Sequence, residues 1–505
     1  MTVEIMDTTL RDGEQTSGVA FTEKEKLAIA IKLLNEVKVN RIEIASARVS
    51  KGEYAAVELI MAWAKEHGYI NQIEVLGFVD GALSLDWIHK AGGKTINLLT
   101  KGSLKHVQGQ LRKTPDEHIA DIRASLNYAQ QLGIAVNIYL EDWSSGMRNS
   151  KDYVFYFLDQ LKDSAIQRYM LPDTLGILSP LELKGYADEI VARYPGLHFE
   201  YHGHNDYDLA VANALVAVKA GFSGVHTSVN GLGERAGNTV LSSIVPVLRD
   251  HLKAELTVDE SQLNSVSDLV EAFSGIRIAP NSPVIGANVF TQTAGVHADG
   301  DKKGNLYFND LMPERFGRTR KYALGKTSGK ANIQKNLEEL GIVLPPELMA
   351  KVVAKVIALG DKKKTITKED LPYIIRDIQG AKAIEEKVVI TNYYFCSAKG
   401  LRPAATLALN YMGETYEESA VGDGQYDAFM NAVKKIYKTI GFTLPRLVDY
   451  VVTIPPGGHT DALVETSITW EINEKIFKTR GLDSDQTAAA VIATQKMLNL
   501  HVENH

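Results

Sequence analysis

A single cysteine, Cys396, stands in 505 residues. That excludes an internal disulfide, and so sparing a use of thiols fits a reducing compartment, the cytoplasm being the expected location. Long apolar runs are also missing: no stretch approaches the roughly 18 residues of a membrane span, so no membrane partner is expected. The opening MTVEIMDTTL lacks a basic stretch followed by an apolar one, and no signal peptide is expected. Nor is there an excess of positive charge. Lys and Arg number 55 against 62 Asp and Glu, a formal charge of -7, which offers no basic face for nucleic acid. Proline, at 15, and glycine, at 40, are too few for collagen-like or low-complexity classes. The length exceeds what one compact core holds, so two or three domains are expected.

What is present is alternation. Up to about residue 252, short β-branched runs at 3–6, 41–45, 73–76, 95–99, 135–140, 168–171, 198–202 and 224–228 read as strands. Between them, residues 22–37, 115–131, 180–192 and 209–220 carry apolar positions at helical spacing. Thr22 with Glu25 forms a capping box, and Gly133 and Gly221 sit where helices stop. Eight strand–helix units in about 250 residues predict an α/β chain opening with a (β/α)8 TIM barrel over residues 1–255. A doubly wound open sheet is the structural alternative, though it rarely needs eight such regular units. Residues 256–385 read as helical linker subdomains, and 386–505 as an α+β domain in which a strands-then-helix unit occurs twice.

In such a barrel the chemistry gathers where the strands end. Arg11 and Asp12 follow the first strand. On the seventh, "FEYHGHND" puts His202 and His204 two apart, so an extended chain turns both imidazoles to one side. A lone histidine more often packs or caps, but two neutral imidazoles and one carboxylate are a common set for a divalent metal with positions left open. Asp12 is the third ligand in this reading, and Asn238, in "NGLGERAGNT", can add a carbonyl oxygen. Gly231, Gly233 and Gly237 of that segment lack dinucleotide-fingerprint spacing and read as a tight turn open to close approach. Glu141 and Asp142 after strand five and Thr174 after strand six add polar groups suited to an oxygen-rich anion.

These motifs resemble those of the DRE-TIM metallolyase-type family uniting 2-isopropylmalate, homocitrate and citramalate synthases. Its D-x-T-L-R-D-G-x-Q signature is matched by Asp7, Thr9, Leu10, Arg11, Asp12, Gly13 and Gln15, and "LPDT", "HGHND", "GLGERAGN" and "AGVHADG" match others. The likeness covers nearly the whole chain, and its tail resembles the regulatory domain of the amino-acid-producing members. The resemblance implies an acyl-CoA:2-oxoacid C-acyltransferase that joins the methyl carbon of acetyl-CoA to the ketone of a 2-oxoacid and then hydrolyses the thioester. It implies a divalent ion (Zn, Mn or Mg) on Asp12, His202 and His204, with Asn238 a further ligand. Arg11 would meet the developing oxyanion and Thr174 the substrate carboxylate, with Glu141, His297 and Tyr307 as proton-transfer groups. Because His297 and Tyr307 lie beyond the barrel segment, a homodimer that shares residues between subunits is expected, with an amino-acid effector on the last domain.

Inward positions on strands three to five, Leu76, Leu99 and Tyr139, should line the oxoacid side chain, and their bulk leaves room for little more than a methyl group. Pyruvate is then the expected substrate and citramalate the product, and the resemblance implies the (R) form and isoleucine biosynthesis as the context. The alternative within the family takes 2-oxoisovalerate, for leucine. From a different class, a metal-dependent acyl-CoA lyase has no evident need of the long carboxyl-terminal extension.

Overall fold

The computed structural model describes residues 1–294, 297, 300, 306–361, 366–379, 387–453, 464–473 and 475–503. The chain divides into two compact units, Met1–Thr291 with Phe308–Arg320, and Gln292–Tyr307 with Lys321–His505.

The first unit is a closed barrel of eight parallel strands in chain order. They are β1 Glu4–Asp7, β2 Arg41–Ser46, β3 Ile73–Phe78, β4 Thr95–Lys101, β5 Ala135–Glu141, β6 Ile166–Asp173, β7 Phe199–Gly203 and β8 Gly224–Thr227. The expected α/β class and eight strands are thus present, each within a few residues of its predicted span. The ring closes where Glu4–Asp7 pairs with Gly224–Thr227. Local signals set the helices. Thr22 with Glu25, Thr114 with Glu117 and Ser179 with Glu182 each form reciprocal caps, the latter two with Pro at the first helical turn. Gly133 and Gly221 end their helices at φ +65° and +113°, which a Cβ disfavours. The helix predicted over 22–37 is α-helical only over Glu23–Ile31. Its end, Lys32–Val37, widens into a π turn that closes at left-handed Lys38.

Apolar side chains fill the layer between strands and helices, from Ile5 and Ile42 to Val225 and Leu248. The barrel's inside is different. Arg41, Glu43, Glu74, Asn97, Asn137, Glu200 and His226 are all buried there, linked by hydrogen bonds, around a small apolar cluster of Met6, Leu76, Tyr139 and Met170 with Leu99 against it. Residues 256–291, expected among the linker subdomains, pack with the barrel unit, including the helix Leu263–Ser274.

In the second unit, the helices Lys330–Glu339, Pro346–Asp361 and Leu371–Gln379 share one apolar core. Two three-stranded antiparallel sheets follow, Val388–Cys396, Ala404–Tyr411, Glu414–Val421 and Arg446–Thr453, Val464–Ile472, Lys475–Asp483. Each is succeeded by a helix, Gln425–Thr439 and Gln486–Glu503, and a common core joins the two repeats. No helix among the described residues is long and apolar enough to cross a membrane.

Candidate metal and substrate site

The turn after β1 builds one wall of the barrel mouth. The Thr8 carbonyl accepts the N–H groups of Arg11, Asp12 and Gly13 at 3.0, 2.8 and 3.1 Å, which coils the chain back over the strand end. Asp7 accepts from the Thr9 N–H at 2.9 Å, and Thr9 Oγ1 accepts from Val229 N at 2.8 Å, tying this turn to the β8 loop. Burial raises the Asp7 carboxyl to about 6 against these bonds. Asp7 and Thr9 thus shape the turn, leaving Arg11 and Asp12 to face the opening.

Asp12 Oδ2 lies 3.1 Å from His202 Nε2, 3.9 Å from His204 Nε2 and 3.1 Å from Arg11 Nη1. The two imidazole Nε2 atoms are 3.4 Å apart, and one donor atom from each of the three residues falls within 4.8 Å of the others. Burial opposes the charge on Asp12, yet Arg11 and the two rings hold its carboxyl well below the usual range. Burial pushes both histidines down, His204 to about 4, so at neutral pH they are uncharged, the form that donates a lone pair to a cation. Asp12 Oδ1, His204 Nδ1 and both side-chain atoms of Asn238 are buried without a hydrogen-bond partner among the described residues. Leaving such atoms unmatched costs about 1–3 kcal/mol each, and a divalent cation held by Asp12 and the two Nε2 atoms is a group that would meet the Asp12 and Asn238 oxygens. His204 and Asn238 pair through an isolated backbone bridge. The glycines around Asn238 make that approach possible: a Cβ on Gly237, at φ +84°, would fall 1.9 Å from the Gly231 carbonyl, and one on Gly233 would lie 2.7 Å from the Asn238 amide.

The other predicted residues divide into three groups. Leu76, Leu99 and Tyr139 come together, with Met6 and Met170, inside the barrel. The Tyr139 hydroxyl accepts from Arg11 Nη2 at 3.3 Å. Glu141 and Thr174 stand at adjacent strand ends. Glu141 is ion-paired with Lys101 of β4, and Thr174 Oγ1 accepts from Asp142 N at 2.9 Å. His297 and Tyr307 belong to the second unit, where their rings lie 4.2 Å apart, centre to centre, and both are exposed.

Several polar residues escaped the sequence reading. Glu43 grips Arg11 Nε and accepts from Asn97 at 2.7 Å; Lys101 holds Glu141; His226 contacts Tyr139, His202 and Glu200. The signal that could have found Glu200 is the period-two run Glu200–His202–His204, extended one step back from the histidine pair.

Comparison with known proteins adds three matched regions. The HMGL-like family model matches residues 2–270, the homocitrate synthase post-HMGL domain-like model 284–364, and the LeuA allosteric (dimerisation) domain model 365–502. The (R)-citramalate synthase CimA of Methanocaldococcus jannaschii is 33% identical over 503 residues, covering 99% of each chain. The 2-isopropylmalate synthase of the same organism is 33% identical over 503 residues, covering 98% of this chain and 94% of that one.

Proposed function

This chain belongs to the HMGL-like family, and from that premise we propose that it condenses acetyl-CoA with a 2-oxoacid, the oxoacid being pyruvate and the product (R)-citramalate. The observation that carries the reading is the set Asp12, His202 and His204, with Asp12 Oδ1 unmatched, beside Arg11 and next to an apolar cluster that includes Tyr139, whose ring centre lies 5.8 Å from that of His202.

Asp12, His202 and His204 would hold a divalent ion, with the Asn238 carbonyl available to it, and when bound it would supply Lewis-acid polarisation of the oxoacid's ketone. Arg11 donates to the substrate oxygen on which negative charge develops, its guanidinium fixed by Glu43. Thr174, whose oxygen already accepts from Asp142 N, has its hydroxyl proton to give to the substrate carboxylate. Glu141, held by Lys101, takes a proton from the acetyl methyl, and the carbon so freed bonds to the ketone carbon. Water then cleaves the thioester and releases the CoA thiol. His297 and Tyr307 are proposed for the remaining proton transfers. A homodimer is proposed through the region matching the LeuA dimerisation domain, which would also take an amino-acid effector, isoleucine by pathway logic.

A second reading, 2-isopropylmalate synthase, has a relative of equal identity behind it. Against it stands the crowding of Tyr139, Leu76, Met6 and Met170, all buried, which leaves an isopropyl group little room. Purified protein given acetyl-CoA, a divalent metal and a panel of 2-oxoacids, with free thiol followed, separates the two. Release with pyruvate supports the proposal, and release only with 2-oxoisovalerate defeats it. Silence with every oxoacid, followed by cleavage of hydroxymethylglutaryl-CoA, identifies a lyase instead.

A further inference from the structure

Below the candidate metal ligands lies a chain of buried polar groups that no step above uses. His226, on β8, is fully enclosed, with Nε2 2.9 Å from Glu200 Oε2 and Nδ1 3.3 Å from His202 Nδ1. Glu200 is ion-paired with Arg41, which also binds Glu74 at 2.6 Å. A glycine makes the space: a Cβ on Gly224 would come within 2.6 Å of Glu200 Oε1.

Donor–acceptor counting assigns the protons. Glu200, held ionised between Arg41 and its other donors, only accepts, so His226 carries its proton on Nε2 and gives it to Glu200. His226 Nδ1 is then a lone pair. Two donors face it, the Tyr139 hydroxyl at 3.1 Å and His202 Nδ1 at 3.3 Å. Tyr139 has a second acceptor in Glu43 Oε2 at 3.4 Å, whereas His202 Nδ1 has no other partner among the described residues. With its proton on Nδ1, His202 presents a bare Nε2 to Asp12 and His204, the side on which a metal would bind. A metal-ligating histidine ordinarily needs such an acceptor behind it, which fixes the tautomer and raises the basicity of the ligating nitrogen.

We propose that His226 is the positioning residue of the metal site: it accepts the Nδ1 proton of His202, with Glu200 and Arg41 setting its own orientation. The proposal rests on the reading that Asp12, His202 and His204 hold a divalent ion, and it extends that site two side chains deeper, to a carboxylate at the opposite end of the barrel.

The test is zinc affinity, measured by competition with a chromophoric chelator on the full-length protein stripped of metal. His226→Leu removes the acceptor, and a 10–100-fold weaker zinc affinity is expected. His226→Asn keeps an acceptor where Nδ1 stood, and affinity within about threefold of the parent is expected. If His226→Leu binds zinc as the parent does, the relay is refuted. Equal losses in the Leu and Asn variants also refute it, because burial rather than the accepting atom would then matter. His226→Met, of similar volume, repeats the measurement where the leucine variant does not fold. Should the parent itself bind no zinc, it is the metal reading that fails, an outcome distinct from a parent that binds and a leucine variant that binds equally well.

Discussion

The barrel unit holds two groups of histidine and carboxylate donors close enough to share one cation, one at each end of β7: Asp12, His202 and His204 at the mouth, and Glu4, His198 and Glu200 at the floor. They differ in what already surrounds them. At the floor, Arg41 and Arg168 reach both Glu4 and Glu200, His198 lies 2.9 Å from Glu200, and no atom of the three donors is left buried without a partner. At the mouth, Arg11 divides its charge between Asp12 and Glu43, and donor atoms of Asp12 and His204 remain unmatched. Proximity of ligand atoms is therefore a weak criterion. A metal site is better recognised by donors whose needs the protein has not met, and by that measure the three residues at the mouth qualify, whereas Glu4, His198 and Glu200 are each already held in ion pairs.

The strongest way to break this comparison is to count ions. One divalent ion per chain is expected by elemental analysis after loading and desalting. Asp12→Asn or His202→Ala should abolish it together with thiol release, a loss beyond about a thousandfold, while His198→Ala should leave both intact. Two ions per chain, or loss on changing His198, would show that the floor binds metal. The floor's own role is tested by Arg41→Met. That change strands the buried carboxylate of Glu74 and leaves Glu200 with Arg168 and its two histidines, and removing one partner of a buried pair costs about 3–5 kcal/mol. A large fall in melting temperature is expected, and an unchanged one would mean the floor ions contribute nothing.

How much of this was legible beforehand follows the same division. Strands and helices were readable because β-branched runs, caps and terminal glycines act locally. The mouth was readable because His202 and His204 repeat at the period of a strand and Asp12 follows a strand end. The floor was not. Arg41 and Glu43 sit in "RIEIAS", Glu74 in "IEVL" and His226 in "GVHTS", single polar residues among apolar neighbours, indistinguishable in one dimension from residues facing solvent. Only closure of the barrel turns them inward together. For the same reason nothing in one dimension pairs Lys101 with Glu141, although the two lie on adjacent strands. His297 and Tyr307 came from the family likeness alone, and their partnership with each other is a matter of the second unit's folding.

Acid separates the mouth from its surroundings by a smaller margin. Burial depresses His204 to about 4, below the ordinary 6.5 of an imidazole, so the native state prefers it neutral. Stability from this preference is fully present above pH 6.5 and is lost as pH falls toward 4. Two and a half pH units at 1.36 kcal/mol each set a ceiling of about 3 kcal/mol. Metal-free protein should therefore lose melting temperature steeply over that window, and His204→Asn should flatten the slope. An equally steep loss in the variant would place the acid-sensitive group elsewhere, with His118, also depressed to about 4 by burial, the next to change.

The smallest effect concerns the apolar patch between the two ends, where Leu76, Tyr139, Met6 and Met170 are buried and Leu99 is partly open. Replacing Leu99 and Tyr139 by Ala opens space beside the place proposed for the oxoacid side chain. Each methylene accommodated in an apolar pocket is worth about 1–3 kcal/mol, so the ratio of kcat/KM for 2-oxoisovalerate to that for pyruvate should rise 10–200-fold. Tyr139 also touches Arg11 and His226 through its hydroxyl, so Tyr139→Phe must be measured beside it. That variant keeps the ring and should keep the preference for pyruvate, even if kcat falls because Arg11 has lost a contact. If the double alanine variant ranks the oxoacids as the parent does, these side chains only pack the barrel, and selectivity must be sought at the rim instead.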